Sequence, residues 1–210
     1  YDIDEKTDYS ELVADRVYLP FRGLLEGKIN ITAINDIKES GKEVFLWLPS
    51  ITRGNYDRLA KARMDELKTL GLDGMLVGNP GTLKLLEGSS GFYLEGDHTF
   101  NTFNRYALKE LHRLGLKEAT LSMEMTLEQI NKLKDAPGIK KNAIVYGRIP
   151  LMTSEYCPVG SVAGGFKKEQ ACNRACMRGE YRLKDRKGVE FPILCDRIDC
   201  RSIILNSNVL

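Results

Sequence analysis

The residues with the clearest chemical potential are five cysteines confined to the end of the chain: Cys157, Cys172, Cys176, Cys195 and Cys200. No pair has the Cys-x2-Cys spacing of a zinc ribbon. Cys172 and Cys176 would project both sulfurs to the same side of a helical turn. Thiolates that converge from separate segments can hold Zn²⁺ or a [4Fe–4S] cluster, whereas disulfides need an oxidising compartment. The spacing alone leaves metal binding, disulfides and inert thiols open.

Four other polar residues are candidates for acid–base chemistry or substrate binding. His98, Asn101 and Glu124 each follow an apolar run that is typical of a strand, and Arg148 leads toward Cys157. Glu124 suits an acid–base role or a substrate anchor, and His98 is one of only two histidines in the chain. A solvated carboxylate and a hydrogen-bonded structural histidine are the alternatives for these two residues. The sequence lacks a Gly-x-Ser-x-Gly elbow, a His-Glu-x-x-His zinc motif, a Walker loop and a dinucleotide fingerprint.

The elements that would position these residues alternate regularly. Short apolar runs predict strands at 16–19, 43–48, 74–77, 92–94, 119–122 and 143–146. Several runs are apolar throughout, as in parallel strands covered on both faces. Helical spacing lies between them, for example at Phe103, Ala107, Leu111 and Leu114, and Thr126 with Gln129 forms a capping box. Repeated strand–helix units predict an α/β fold with a parallel sheet, either a barrel or an open sheet.

Composition and charge limit the class of protein. The chain has 210 residues, 42% of them hydrophobic and 29% charged, with a net charge of +2. These values exclude a disordered chain, and no run reaches the roughly 18 apolar residues of a membrane helix. The acidic N-terminal segment does not resemble a signal peptide. Because the sequence does not begin with Met, we expect a piece of a longer cytoplasmic protein with no membrane partner.

The strand–helix pattern ends near residue 150. We therefore predict a (β/α) domain at residues 1–150 and a small cysteine-rich module at residues 151–210. The segment 157–210 carries ten Lys or Arg against six Asp or Glu, a mild positive excess that permits an anionic partner.

Several motifs resemble peptidase family U32, also known as collagenase-like proteases. The segment 146–160, YGRIPLMTSEYCPVG, resembles the signature region of that family. The later segments 172–181 (CNRACMRGEY), 183–188 (LKDRKG) and 200–207 (CRSIILNS) are also similar to it. In the predicted sheet, the segments 71–78, 98–101 and 121–124 resemble the family as well. The resemblance extends over roughly residues 15–207.

The resemblance implies a TIM-like barrel followed by a cysteine module, similar to the C-terminal barrel copy of long bacterial members, with the first barrel strand missing. It implies a [4Fe–4S] cluster bound by Cys157, Cys172, Cys176 and Cys200, with Zn²⁺ as the alternative in an aerobic preparation. Cys195 lies where similar sequences have another residue, so it is the spare thiol.

Three functions follow from the resemblance. Some relatives carry out or assist oxygen-independent hydroxylation of tRNA, ribosomal RNA or the ubiquinone ring, with prephenate implied as an oxygen source in some. Glu124, His98, Asn101 and Arg148 would then shape the substrate pocket. The family name implies a collagenase-like metallopeptidase with a peptide substrate. The third possibility is a non-catalytic metal-binding barrel that acts as a scaffold for other domains of the same longer chain.

Overall fold

The computed structural model describes residues 8–52, 54–87, 91–165 and 171–210. The chain divides into two compact units, Tyr1–Ile144 and Val145–Leu210, which we call the first and second units. No helix among the described residues is long and apolar enough to span a membrane.

The first unit contains a parallel sheet of six strands whose order follows the chain. The strands are β1 (Arg16–Pro20), β2 (Glu43–Trp47), β3 (Gly74–Val77), β4 (Tyr93–Gly96), β5 (Glu118–Thr120) and β6 (Lys140–Asn142). Parallel neighbours need a crossover connection, and the helices between the strands supply it. The α/β fold with a parallel sheet that the sequence predicts is therefore confirmed.

Helices connect each pair of neighbouring strands. They are α1 (Phe21–Leu25), α2 (Ile31–Glu39), α3 (Asn55–Ala62), α4 (Met64–Thr69), α5 (Pro80–Leu86), α6 (Arg105–Arg113) and α7 (Leu127–Lys132). Side-chain oxygens of Asn30, Asn79 and Asn104 accept backbone N–H groups at the starts of α2, α5 and α6. The capping box of Thr126 and Gln129 is present at the start of α7, as the sequence predicts.

One face of the sheet forms the apolar core. The buried residues on this face include Val17, Leu19, Val44 and Leu46. Arg16 and Tyr18 alternate with them along β1 and so lie on the opposite face. The helices contribute buried residues of their own, including Ile34, Ile37, Leu67, Leu108 and Leu111. The opposite face of the sheet is much more polar, and it carries Arg16, Glu95, Glu118 and Asn142.

The sheet is strongly rolled. In a flat sheet, β1 and β5 would lie about 19 Å apart, because neighbouring strands are spaced by about 4.8 Å. Instead, Arg16 Nη1 on β1 donates to Glu118 Oε2 on β5 over 3.1 Å. The described residues show no pairing of β6 with β1, so these six strands form an open sheet.

The prediction of a strand at 143–146 is wrong. Strand β6 lies earlier, at Lys140–Asn142, and residues 143–145 have no regular structure. The physical reason is that Asn142 binds two carboxylates on the polar face of the sheet. Val145 and Tyr146 are largely exposed, with relative accessibilities of 82% and 80%.

The second unit contains an antiparallel sheet in the order β7-β10-β9-β8. Its elements are β7 (Pro150–Ser154), the short helix α8 (Pro158–Val162), a 3₁₀ turn at Ala175–Met177, β8 (Tyr181–Lys184), β9 (Glu190–Cys195) and β10 (Ser202–Leu205). The N–H groups of Leu210 and Asn206 donate to the carbonyls of Gly147 and Ile149. These bonds tie residues 147 and 149 to the end of the chain within the second unit.

Candidate functional site

Asp97 and His98 follow β4 at the carboxyl edge of the parallel sheet. Asp97 is buried. Its Oδ1 accepts a hydrogen bond from the backbone N–H of His98 and also lies 2.7 Å from His98 Nδ1. Trp47 Nε1 donates to the other oxygen, Oδ2, over 3.2 Å. An aspartate that accepts from Nδ1–H fixes the tautomer and orientation of the imidazole, leaving Nε2 as the ring's acceptor. The arrangement therefore suits His98 as a general base.

Asn101 and Glu124 lie on adjacent loops at the same edge. The backbone N–H of Ser122 donates to the carbonyl of Thr102 over 3.1 Å, and Thr102 forms a parallel bridge with Leu121. These contacts hold the loop that contains Asn101 beside the loop that contains Glu124. Both side chains are exposed. The structure thus brings three of the four predicted polar residues to one edge of the sheet.

Further contacts join the neighbouring strand ends. Asn79 Nδ2 donates to the carbonyl of Ser50 over 2.9 Å, and Thr99 Oγ1 donates to the carbonyl of Gly78 over 2.7 Å. A Cβ on Gly78 would lie 2.8 Å from Thr99 Oγ1 and 2.9 Å from the Cα of Ser50. Glycine is therefore required at 78 for the ends of β2, β3 and β4 to approach this closely.

Arg148, the fourth predicted residue, belongs to the second unit. Its Nη1 donates to the carbonyl of Asn206 over 2.9 Å and also to the carbonyl of Ser207. The side chain is exposed in spite of these bonds. In this structure Arg148 joins the start of the second unit to the last residues of the chain, and its pocket role stays a prediction.

A charged cluster that the sequence patterns do not predict lies inside the rolled sheet. It consists of Arg16, Glu95, Glu118 and Asn142. Arg16 Nη1 lies 3.0 Å from Glu95 Oε2 and 3.1 Å from Glu118 Oε2. Asn142 Nδ2 donates to Glu95 Oε1 and to Glu118 Oε2 over 2.7 and 2.9 Å. The glutamate side chains are only 3% and 6% exposed. The sequence contains one signal of this cluster, because Glu95 and Glu118 each lie beside an apolar run that predicts a strand.

Two tyrosines complete this cluster. Tyr18 donates its hydroxyl to Glu95 and Tyr93 donates to Glu118, each over 2.7 Å. Burial and the bond to Glu118 raise the pKa of Tyr93 to about 12, and burial together with Glu95 raises the pKa of Tyr18. Burial opposes ionisation of Glu118, but bonds from Arg16, Asn142 and Tyr93 outweigh it and lower its pKa to about 2.

A cavity of about 490 Å³ lies against this cluster in the first unit. Its walls include Arg16, Tyr18, Glu43, Glu95 and Glu118. The carboxylates give the walls an acidic character, although the two buried glutamates already receive several hydrogen bonds from protein groups. The cluster therefore stabilises the interior of the sheet without requiring a ligand.

The cysteines converge in the second unit. Cys157 is the N-cap of α8, and its Sγ accepts the backbone N–H of Gly160 over 3.2 Å. Cys172 Sγ accepts the backbone N–H of Arg174 over 3.4 Å. A Cβ on Gly164, just after α8, would lie 3.0 Å from Cys172 Sγ, so glycine at 164 allows this sulfur to approach the helix.

The other three cysteines lie near these two. Cys176 is in the 3₁₀ turn, Cys195 ends β9, and Cys200 lies in the loop before β10 with a left-handed φ of 56°. Burial, followed by the charges of Cys157, Cys172 and Cys176, raises the pKa of Cys200. Burial and the neighbouring thiols of Cys176 and Cys157 raise the pKa of Cys195 to about 11. Cys195 and Cys200 are therefore each close to thiols of the other three cysteines.

The donor set of this thiol cluster fits a thiophilic metal in its chemistry, because sulfur ligands select Zn²⁺ and iron–sulfur clusters. No disulfide joins any of the five cysteines, all of which lie in the described residues. Within the described ranges, no group of three or more His, Cys, Asp or Glu side chains has the arrangement of a metal site. The thiols are thus gathered without being arranged around a centre, and the predicted four-cysteine ligand set stays a prediction.

Comparison with known proteins defines the family. The model of peptidase family U32 matches residues 26–207. This chain therefore belongs to peptidase family U32, as the resemblance in the sequence predicts. Among solved structures, the U32 peptidase Mk0906 is similar, with 15% sequence identity and a TM-score of 0.43 over 65% of this chain and 62% of that chain. This chain spans less than two thirds of the length of that protein. No match was found among curated proteins.

Proposed function

We propose that this U32 family chain binds a [4Fe–4S] cluster through Cys157, Cys172, Cys176 and Cys200. The observation that carries the proposal is the proximity of these thiols, which come from three segments of the second unit: the start of α8, residues 172–176 and the loop before β10. Cys200 is close enough to the other three for their charges to act on it. Gathered thiolates repel one another, and a bound cationic centre would relieve that repulsion.

Local backbone geometry supports the same assignment. Backbone N–H groups point at the sulfurs of Cys157 and Cys172, and hydrogen bonds to sulfur are one means by which proteins set the potential of a cluster. Among the described residues, the non-glycine residues with positive φ are Asn101, Arg174 and Cys200. Arg174 lies between two of the proposed ligands and Cys200 is one of them. Such strained conformations concentrate at functional sites.

The activity that we propose is oxygen-independent hydroxylation of RNA or a similar substrate. A bound [4Fe–4S] cluster would supply one-electron transfer to this chemistry. His98, oriented by Asp97, would accept a proton from the substrate at Nε2. The exposed residue Lys184 on β8 supplies positive charge for an anionic substrate. The six-stranded sheet would form part of a TIM-like barrel, in line with the contact between Arg16 and Glu118 across the roll.

The cluster is tested by anaerobic purification of the full chain, with metal analysis and a visible absorption spectrum. We expect about four iron and four sulfide per chain and broad brown absorption. Cys176→Ser should lose both, whereas the matched variant Cys195→Ser should keep them. Iron content that survives substitution of Cys157, Cys172 and Cys176 would contradict the proposal.

The reaction is tested by mass spectrometry of nucleosides in RNA from cells that express the protein. Wild type should add hydroxylated nucleosides that are absent from cells expressing His98→Ala. The absence of any added hydroxylation with a cluster-loaded wild type would refute the RNA assignment while leaving the cluster assignment intact.

Peptide hydrolysis is the second candidate, and the Asp97–His98 pair favours it, because an oriented imidazole can activate water. A metal bound by the cysteines would not favour peptide hydrolysis. Four thiolates fill the coordination shell, as in structural zinc sites, whereas a catalytic zinc keeps one position open for water or substrate. Cleavage of gelatin by zinc-loaded wild type, lost in His98→Ala, would support this candidate. No cleavage by either protein would reject it.

A further inference from the structure

Cys195 is the thiol that the proposed ligand set leaves over. It is the last residue of β9 and is half-buried. Its thiol lies near the thiols of Cys176 and Cys157, and burial together with their proximity raises its pKa.

The backbone determines how Cys176 and Cys195 approach each other. The hydroxyl of Tyr181 donates to the carbonyl of Ala175 over 3.1 Å, which ties the 3₁₀ turn containing Cys176 to β8. Tyr181 pairs with Ile193 in the antiparallel register of β8 and β9. Cys195 is two residues beyond Ile193, so both side chains lie on the same face of β9. The turn is thus held over the face that carries Cys195.

Ser202 adds an independent observation at the same place. It pairs with Cys195 across β9 and β10 and is completely buried. Its hydroxyl lies beside the Cys195 thiol, and no other group in the described part of the chain is a hydrogen-bond partner for it. A buried hydroxyl without a bond is costly, so the sulfur of Cys195 is the acceptor available to Ser202.

We propose that Cys176 and Cys195 form a reversible disulfide when the second unit holds no metal. The pairing itself depends only on the contact between the two thiols. Its consequence for metal binding rests on the proposed function, since the disulfide would remove Cys176 from the ligand set. Disulfide formation and metal binding would then exclude each other, because both use the sulfur of Cys176.

The oxidant is a small disulfide such as oxidised glutathione. The Cys176 thiolate attacks one sulfur of glutathione disulfide, which forms a mixed disulfide and releases one glutathione thiolate. The sulfur of Cys195 then attacks the Cys176 sulfur and releases the second glutathione, and the thiol proton passes to that leaving thiolate. Two protein thiols are oxidised, and one glutathione disulfide is reduced to two glutathione molecules.

The test uses the full chain, reduced and freed of metal, then incubated with oxidised glutathione. Titration of free thiols should show a loss of two, and peptide mapping without reduction should identify Cys176 linked to Cys195. Cys195→Ser should lose this link, with Cys195→Ala as a second variant should the serine protein fail to fold. The matched variant Cys200→Ser should keep it. A different cysteine pair, or stable glutathione adducts at Cys176 in wild type, would overturn the proposal.

A second arm separates this inference from the proposed function. When Zn²⁺ is added before the oxidant, wild type should form the disulfide at least tenfold more slowly. Cys200→Ser lacks a proposed ligand, so Zn²⁺ should protect it much less. If the link forms equally fast with and without Zn²⁺, the disulfide stands and the assignment of Cys176 as a metal ligand fails.

Discussion

The charged cluster of Arg16, Glu95, Glu118 and Asn142 predicts a specific dependence of stability on pH. We expect Glu118→Gln to lower the free energy of unfolding at neutral pH and to leave it almost unchanged at pH 2. Glutamine retains the size of the side chain and part of its hydrogen bonding, but it removes the charge that faces Arg16. The variant thus isolates the electrostatic contribution of one carboxylate.

The magnitude follows from the lowered pKa of Glu118. The bonds to Glu118 lower its pKa from the ordinary 4.5 to about 2 in the folded protein, which corresponds to an upper bound of about 3 kcal/mol. Because the folded pKa is the lower one, this stabilisation is fully present above pH 4.5. It is lost as the pH falls from 4.5 through about 2, because the unfolded state is protonated there and about half of the folded molecules are. At pH 2, most of the difference in stability between wild type and Glu118→Gln should therefore have disappeared.

Urea denaturation over a series of pH values provides the measurement. Trp47 is the single tryptophan of the chain and lies in β2, so its fluorescence reports on the first unit. The matched control is Glu110→Gln, which removes an exposed carboxylate that pairs with Arg113. That change should have no measurable effect on stability. A difference between Glu118→Gln and wild type that stays equal at pH 7 and pH 2 would refute the reasoning.

Three further substitutions test local features. Gly74→Ala should destabilise the first unit by about 1–3 kcal/mol, because its Cβ would lie 2.5 Å from the backbone oxygen of Tyr93; thermal unfolding should show no such loss in Gly179→Ala, which has open space. Asn101→Ala should cost about 1 kcal/mol through its left-handed φ, whereas Asn101→Gly should not; equal losses would mean that backbone strain is not the cause. Thr126→Ala removes the capping box and should lower the free energy of unfolding, measured by denaturation, by about 1 kcal/mol. Thr126→Ser keeps the hydroxyl and should retain most of that stability.

Sequence patterns predicted well the elements whose environment is uniform. Strand β3 was predicted with its observed bounds, 74–77, because apolar residues cover both of its faces. The start of α7 was predicted from Thr126 and Gln129, since a capping box depends only on local contacts. These elements needed no information from distant parts of the chain.

Prediction failed where distant residues determine the structure. Strand β6 is polar because Asn142 reaches Glu95 and Glu118, and hydropathy alone gives no signal of such partners. The sequence pattern predicted no strand at residues 150–154, although they form β7 against β10. At the candidate site, the sequence identified His98 as a candidate, but the bond from Trp47 to Asp97 depends on the way the sheet brings β2 and β4 together.

The contact between Arg16 and Glu118 also has a consequence for the order in which the chain folds. Each strand of the sheet pairs with its neighbours along the chain, so the sheet can grow one strand at a time during synthesis. Arg16, however, finds Glu118 only after 102 further residues have been made. Until then, Glu43 and Glu95 are the only ones of its eventual acidic partners Glu43, Glu95 and Glu118 that have been made. Closing this long loop is entropically costly, which makes the rolling of the sheet a late step that awaits β5.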